Sequence, residues 1–271
     1  MSAEGDKVRR LSQYLTPVWA AEALVDRYFP DLNSTDLVIE PTCGQGAYLG
    51  TIPAHIPALG VEIDPVMAEK ARRHTGREVL VGDFRTVPLD VTPTVILGNP
   101  PFDLDVVDGI LQRSYSLLPE GGRVGFLLPT YAFQTASRVA LYAEQWSLRQ
   151  EMIPRNIYPG LSLPLVFALF SKERHRTLIG FALYQEVVDV QQLPKAYRKC
   201  ITAGGGPVWL TAVRAVIERL GGEADLQSIY SEFEGKRPTK TRFWREQIRK
   251  VLRLYSDIFL VKGPGRYALA V

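Results

Sequence analysis

LVIEPTCGQG, residues 37–46, is a short apolar run halted by a proline and followed by two spaced glycines. Val38 and Ile39 favour an extended chain, and Pro41 ends it because proline cannot donate to a strand ladder. Gly44 and Gly46 then fall where a chain passing from strand to helix must come close to a ligand without a Cβ in the way. A turn of that kind aims backbone amides at a negative group. Upstream, PVWAAEALVDRYF (17–29) has apolar residues at helical spacing, with Thr16 as N-cap and Pro17 in the first turn. Downstream, ALGVEI (58–63) reads as a second strand, and Pro65–His74 as a helix opened by Asp64. A short strand follows and ends at GDF (82–84), and another, VILGN, spans 95–99. VVDGILQRSYSLL (106–118) is amphipathic and stops at Pro119–Gly122; RVGFLLP (123–129) is a strand; a helix is expected over 133–147. LPLVFALF (163–170) and IGFALY (179–184) are expected as late, antiparallel strands. The alternation predicts an α/β, Rossmann-like, mostly parallel sheet with helices on both faces. Sheets of this kind bind ligands beyond the carboxyl ends of their strands.

The chemically suggestive residues fall at those ends. Glu40 closes the first strand, and Glu62 closes the second, where an acid can accept both hydroxyls of a ribose. Ile63 is placed to lie on a nucleobase, Asp83 to accept from its amino group, and Phe84 to pack on its edge. GNPPF (98–102) follows the next strand. The Asn99 side-chain oxygen and the Pro100 carbonyl make two acceptors, held in place by the consecutive prolines Pro100 and Pro101. Two acceptors suit the two protons of a ring-conjugated amino group. Binding both protons draws the nitrogen toward tetrahedral geometry and returns density to its lone pair. Phe102 offers a face to stack on the ring and to stabilise positive charge growing there. No general base is needed before transfer, because the nitrogen sheds its proton only after becoming cationic.

Hydrophobic residues make up 46% of the 271 and charged residues 23%, which excludes a disordered chain. Cys43 and Cys200 are the two cysteines and form no CxxC pair. We therefore expect no structural zinc or other metal, no disulfide framework and a reducing, cytoplasmic setting. MSAEGDKVRR lacks an apolar stretch behind its basic residues, and no run reaches the roughly 18 apolar residues of a membrane helix. The expected partner is not a membrane. From residue 200 onward there are 12 Lys and Arg against 7 Asp and Glu, whereas the preceding 199 residues hold 20 against 22. A near-neutral body with a basic tail suits docking on a polyanion. KCITAGGGP (199–207) reads as a linker between residues 1–198 and a small domain at 208–271. That domain shows three helical patterns (209–220, 225–234, 241–255) and a hairpin over 259–270 turning at Gly263–Gly265, the layout of a winged helix. Its third helix carries Arg242, Arg245, Arg249, Lys250 and Arg253, with Phe243, Ile248, Val251, Leu252 and Tyr255 expected to face the core. Lys262 and Arg266 sit on the hairpin. These cations are the expected contacts to major-groove edges and phosphates.

The order YLTP (14–17), EPTCGQG (40–46), VEIDP (61–65), GDF and GNPPF resembles the DNA amino-methyltransferases in which the cofactor region precedes the catalytic one. The likeness runs over residues 10–185. It implies a class I methyltransferase fold, S-adenosylmethionine as cofactor, double-stranded DNA as partner, and a place in restriction–modification near the nucleoid. By the same resemblance, Tyr14, Thr16 and Pro17, with Glu40, Cys43, Gly44 and Gly46, would hold the methionine part of the cofactor. Glu62 would bind the ribose, with Ile63, Asp83 and Phe84 around the adenine. Asn99, Pro100, Pro101 and Phe102 would form the catalytic pocket, with Tyr158 of IYPG against the target base. Phe102 stands where tyrosine is more frequent, and NPPF also occurs in RNA adenine methyltransferases. The expected reaction is methylation of adenine N6 in DNA. Cytosine N4, adenine in RNA and a protein glutamine amide remain as alternatives.

Overall fold

The computed structural model describes residues 15–158, 161–184, 208–239 and 241–270, together with 187, 188, 191 and 198. It divides into two compact units, Met1–Phe181 and Ala182–Val271. Tyr14 and the expected linker 199–207 lie outside the described residues.

The first unit opens with helix α1 (Val18–Tyr28). Then come β1 (Val38–Glu40), β2 (Ala58–Glu62), α2 (Pro65–Thr75), β3 (Glu78–Val81), β4 (Val95–Gly98), α3 (Leu104–Leu117) and β5 (Arg123–Pro129). The unit ends with α4 (Ala136–Ala143), β6 (Ser147–Ile153), β7 (Leu165–Ser171) and β8 (Leu178–Ile179). The strands make an eight-stranded sheet in the order β3-β2-β1-β4-β5-β7-β6-β8. From β3 to β5 every pairing is parallel. β7 runs antiparallel to both β5 and β6, and β8 pairs parallel with β6. The central strands β1 and β4 are buried along their whole length, as a parallel sheet covered on both faces requires. Close packing shows at Gly125, where an added Cβ would sit 2.7 Å from Phe29 and 2.9 Å from Phe167.

Three expectations need correction. The helix over 17–29 has Pro17, not Thr16, at its N-cap, and no side chain caps it; the Thr16 hydroxyl is used elsewhere, as described below. The helix over 133–147 ends at Ala143, and SLRQEMI (147–153) is a strand the pattern did not disclose. Its alternation is masked by charged residues at Arg149 and Glu151. The strand over 179–184 shrinks to Leu178–Ile179, because Gly180 turns the chain at φ +86° and passes close over the Gln150 carbonyl. A side chain at Gly180 would lie 2.9 Å from that oxygen.

The second unit holds α5 (Val208–Arg219), β9 (Glu223–Asp225), α6 (Leu226–Phe233), α7 (Trp244–Leu254), β10 (Phe259–Gly263) and β11 (Arg266–Leu269). Its three strands lie in the order β10-β11-β9. The Asp225 side chain opens α6 by accepting from the Ser228 amide at 2.9 Å. Val213, Val216, Ile229, Phe233, Ile248 and Phe259 build its core. Phe243 is 68% exposed rather than buried. It precedes the helix, and Trp244 takes the inward position of the stripe formed with Ile248, Val251 and Leu252.

Candidate active site

Residues at the carboxyl ends of β1 to β4 line one cavity of about 350 Å³, inside the range of roughly 300–1,000 Å³ typical of small-molecule sites. Among the expected site residues, Thr16, Glu40, Cys43, Gly44, Glu62, Ile63, Asp83, Phe84, Asn99 and Pro101 line it. All but Thr16, which precedes α1, come together because each follows or ends a parallel strand of the same sheet.

Glu40 and Glu62 are each 3% exposed. A Glu40 oxygen accepts from the Leu49 amide at 2.7 Å, and burial pushes this carboxyl well above the usual range. Glu62 accepts from the Gly44 amide at 2.8 Å with one oxygen and from the Asp64 amide at 2.9 Å with the other. Gly44, at φ +54°, supplies the left-handed turn that aims its amide there. This corrects the picture of a turn holding amides open for an anion. The Cys43 amide bonds to Val61, the Gly46 amide to Cys43, and the Gly44 amide to the Glu62 carboxylate. Each Glu62 oxygen keeps a further lone pair for a ligand hydroxyl. Cys43 is a buried thiol whose burial raises its pKa, so it is no nucleophile.

Asp83 is gripped by Arg85 through contacts of 2.6 and 3.0 Å, and this guanidinium holds its carboxyl below the ordinary value. Ile63 is 59% exposed at the cavity, and Phe84 is buried. Asn99 donates from its side-chain nitrogen to the Tyr158 hydroxyl at 3.1 Å, and that hydroxyl lies 2.9 Å from the hydroxyl of Thr16. Thus the Thr16 side chain serves the site instead of a helix end.

Pro17, Gly46, Pro100, Phe102 and Tyr158 do not line the cavity. Phe102 and Tyr158 are 8% and 4% exposed and belong to the apolar core beside Tyr48, Ile52 and Leu161. The Phe102 carbonyl is further held by the Tyr131 hydroxyl. The sequence placed these two rings against the target base; in the structure they are packed in this apolar cluster. Leu15, Val18, Asp103, Val106 and Ile110 line the cavity and were not foreseen. Val106 and Ile110, four residues apart on α3, carry the same signal as any core-facing stripe, so sequence could not single them out.

No family model matches the chain. The type II methyltransferase M.CvrRI of Paramecium bursaria Chlorella virus XZ-6E is 40% identical over 68 residues, which are 24% of this chain. The chain spans 18% of that relative's length. The M protein of the type I restriction enzyme EcoKI superposes with a TM-score of 0.50 at 15% identity, over 59% of this chain and 44% of that one. A Listeria monocytogenes protein described as a class I S-adenosylmethionine-dependent methyltransferase gives a TM-score of 0.49 at 15% identity, over 60% of this chain and 64% of the other. At such identity the likeness is one of fold, and the fold of the first unit is that of the class I methyltransferases.

Proposed function

We propose that this chain transfers a methyl group from S-adenosylmethionine to an exocyclic amino group of a DNA base, N6 of adenine. The observation that carries the reading is the position of Asn99, which shares one cavity with the strand-end residues Glu40, Glu62, Ile63, Asp83 and Phe84.

The cavity suits the cofactor on its own chemistry. Its wall contains a buried Thr42 hydroxyl with no hydrogen-bond partner among the described residues, a polar group that a bound ligand can satisfy. Buried acids at Glu40 and Glu62 suit a cationic ligand carrying hydroxyls, while Ile63, Phe84, Val106 and Ile110 offer apolar surface for a ring. S-adenosylmethionine, when bound, supplies the electrophilic methyl group. Glu62 would hold ribose hydroxyls, and Asp83 and Phe84 would face the adenine. Thr16, Glu40, Cys43 and Gly44 would surround the methionine end, with Tyr14, Pro17 and Gly46 in support.

On the target side, the Asn99 oxygen and the Pro100 carbonyl accept the two amino protons, so the nitrogen lone pair gains density. A base inside a duplex must first be extruded, at a cost of a few kcal/mol. Residues 208–271, proposed as a winged-helix domain set apart from residues 1–198 by the linker, would grip the duplex. Arg242, Lys250, Arg253 and Lys262 are exposed there and are the proposed backbone contacts. Arg245 and Arg249 also stand at the surface but already serve the domain itself. Arg245 lies over the Trp244 ring, and Arg249 donates to the Tyr230 hydroxyl at 2.7 Å. Arg266 is paired with Glu223 at 3.1 Å. The M.CvrRI match and the EcoKI M protein support DNA modification as the setting.

The test is to incubate the protein with duplex DNA and labelled S-adenosylmethionine, digest the DNA to nucleosides and identify the labelled product. N6-methyladenine is expected. N4-methylcytosine alone would move the target to cytosine, and label in structured RNA or protein but not in DNA would refute the reading.

A further inference from the structure

DNA carries a negative charge at every phosphate, and the cavity offers it a poor reception. Glu40, Glu62, Asp83 and Asp103 all line it, and Asp103 is exposed. A DNA strand led to this end of the sheet needs a cation to meet it.

The sheet fixes where such a cation can stand. β6 is antiparallel to β7, and β7 is antiparallel to β5, so β6 points the same way as the parallel strands. The loop after β6 therefore emerges at the edge that carries the cavity. Ile153 and Pro129 both lie opposite Leu165, a short step beyond Phe126, which pairs with Gly98 beside Asn99. Among the described residues, the loops that leave β1 to β6 at this edge carry two Lys or Arg side chains, Arg85 and Arg155. Arg85 is held by Asp83 at 2.6 Å. Arg155 is exposed, and its Nη1 donates to the Ser162 carbonyl at 3.2 Å, a neutral partner that leaves its charge in place. That bond ties the two ends of the loop, so the guanidinium does not swing freely. Arg155 also opens the short turn Arg155–Ile157, and its carbonyl accepts from the Tyr158 amide at 3.2 Å. The Tyr158 hydroxyl accepts from the Asn99 side chain at 3.1 Å. The charge thus stands one turn of chain from the residue that touches Asn99.

We propose that Arg155 binds a backbone phosphate of the DNA strand at the mouth of the target pocket, a nucleic-acid contact on the first unit in addition to those of residues 208–271. The inference rests on the base-methylation reading above. A planar fork of N–H donors matches the oxygens of a phosphate, and a contact of this kind positions the strand without reading its sequence.

The test is duplex-DNA binding by fluorescence anisotropy over a salt series, for the native protein, Arg155→Gln, Arg155→Lys and Arg174→Gln. Arg174 is an exposed arginine in the loop after β7, at the opposite edge of the sheet. In Arg155→Gln, affinity near about 0.1 M salt should fall about 5- to 10-fold, and the logarithmic salt slope should flatten by about 0.9, the share of one phosphate. Arg155→Lys should keep the native slope, and Arg174→Gln should bind as the native protein does. Affinity for S-adenosylmethionine, measured by calorimetry, should stay unchanged in all of them. Weaker binding at an unchanged slope would make Arg155 a clasp for its own loop, and an equal loss in Arg174→Gln would make the effect one of general surface charge. Either result overturns the proposal, as does native binding by Arg155→Gln; DNA methylation by the native protein would then leave the base-methylation reading standing. A native protein that neither binds nor methylates duplex DNA refutes that reading and this inference with it.

Discussion

Two buried carboxylates and one amide account for most of what the cavity can do. Glu62 receives the backbone amides of Gly44 and Asp64. Glu62→Ala should therefore act twice. Cofactor affinity, measured by calorimetry, should fall at least about tenfold, and each orphaned amide should cost about 1–3 kcal/mol in denaturant unfolding. Asn99→Ala separates binding from chemistry. Methyl transfer should drop by about 10²–10³ or more, the scale of removing one preorganised group, while calorimetry shows the cofactor still bound. These residues were legible because strand-end position and side-chain type coincide: Glu40, Glu62, Asp83 and Asn99 each follow an apolar run. The two rings were less legible. Phe102 and Tyr158 look alike in sequence whether they stack on a ligand or on a core, and only the packing shows them in the apolar cluster.

At the level of elements, α1 is tied to β6 through Glu151. Arg27 donates to its carboxylate at 2.8 Å, Tyr28 donates to the same oxygen at 2.8 Å, and Arg149 reaches the other at 2.5 Å. The Arg27 guanidinium, with the Tyr28 hydroxyl next, holds this carboxyl down to about 2 from its ordinary 4.5. The native state therefore favours the ionised form more than the unfolded chain does. The contribution is full above pH 4.5 and fades as pH falls toward 2. Comparing melting temperatures of the native protein and Glu151→Gln, the gap should be widest above pH 5 and close on acidification; a constant gap would show that the tie is not electrostatic. The same neighbourhood limited the sequence reading. The parallel strands announced themselves as continuous apolar runs, whereas β6 carries charge at Arg149 and Glu151 and blended into the preceding helix. β8 was overdrawn because FALY (181–184) is apolar, although the turn at Gly180 had already ended the strand.

For the whole molecule, the excess of Lys and Arg lies in the residues from 200 onward. If Lys250 and Arg253 touch phosphates, replacing both with Ala should weaken DNA binding for every sequence alike. It should also flatten the logarithmic salt dependence by about 0.9 per lost contact. An unchanged slope would take these residues off the DNA. The order of the sheet has its own consequence. β7 fits between β5 and β6, yet β6 precedes it in the chain. Neighbouring segments pair soonest because closing a short loop costs little entropy, so β6 and β7 should zip together first and then join β5 as a pair. Tyr158 rides on the connection between them, and Asn99 waits at the tip of β4. A nascent chain can thus complete its parallel half, acids and glycine turn included, before the antiparallel half closes. The seam between β5 and β7 closes last, and only then does the segment carrying Tyr158 reach Thr16 and Asn99.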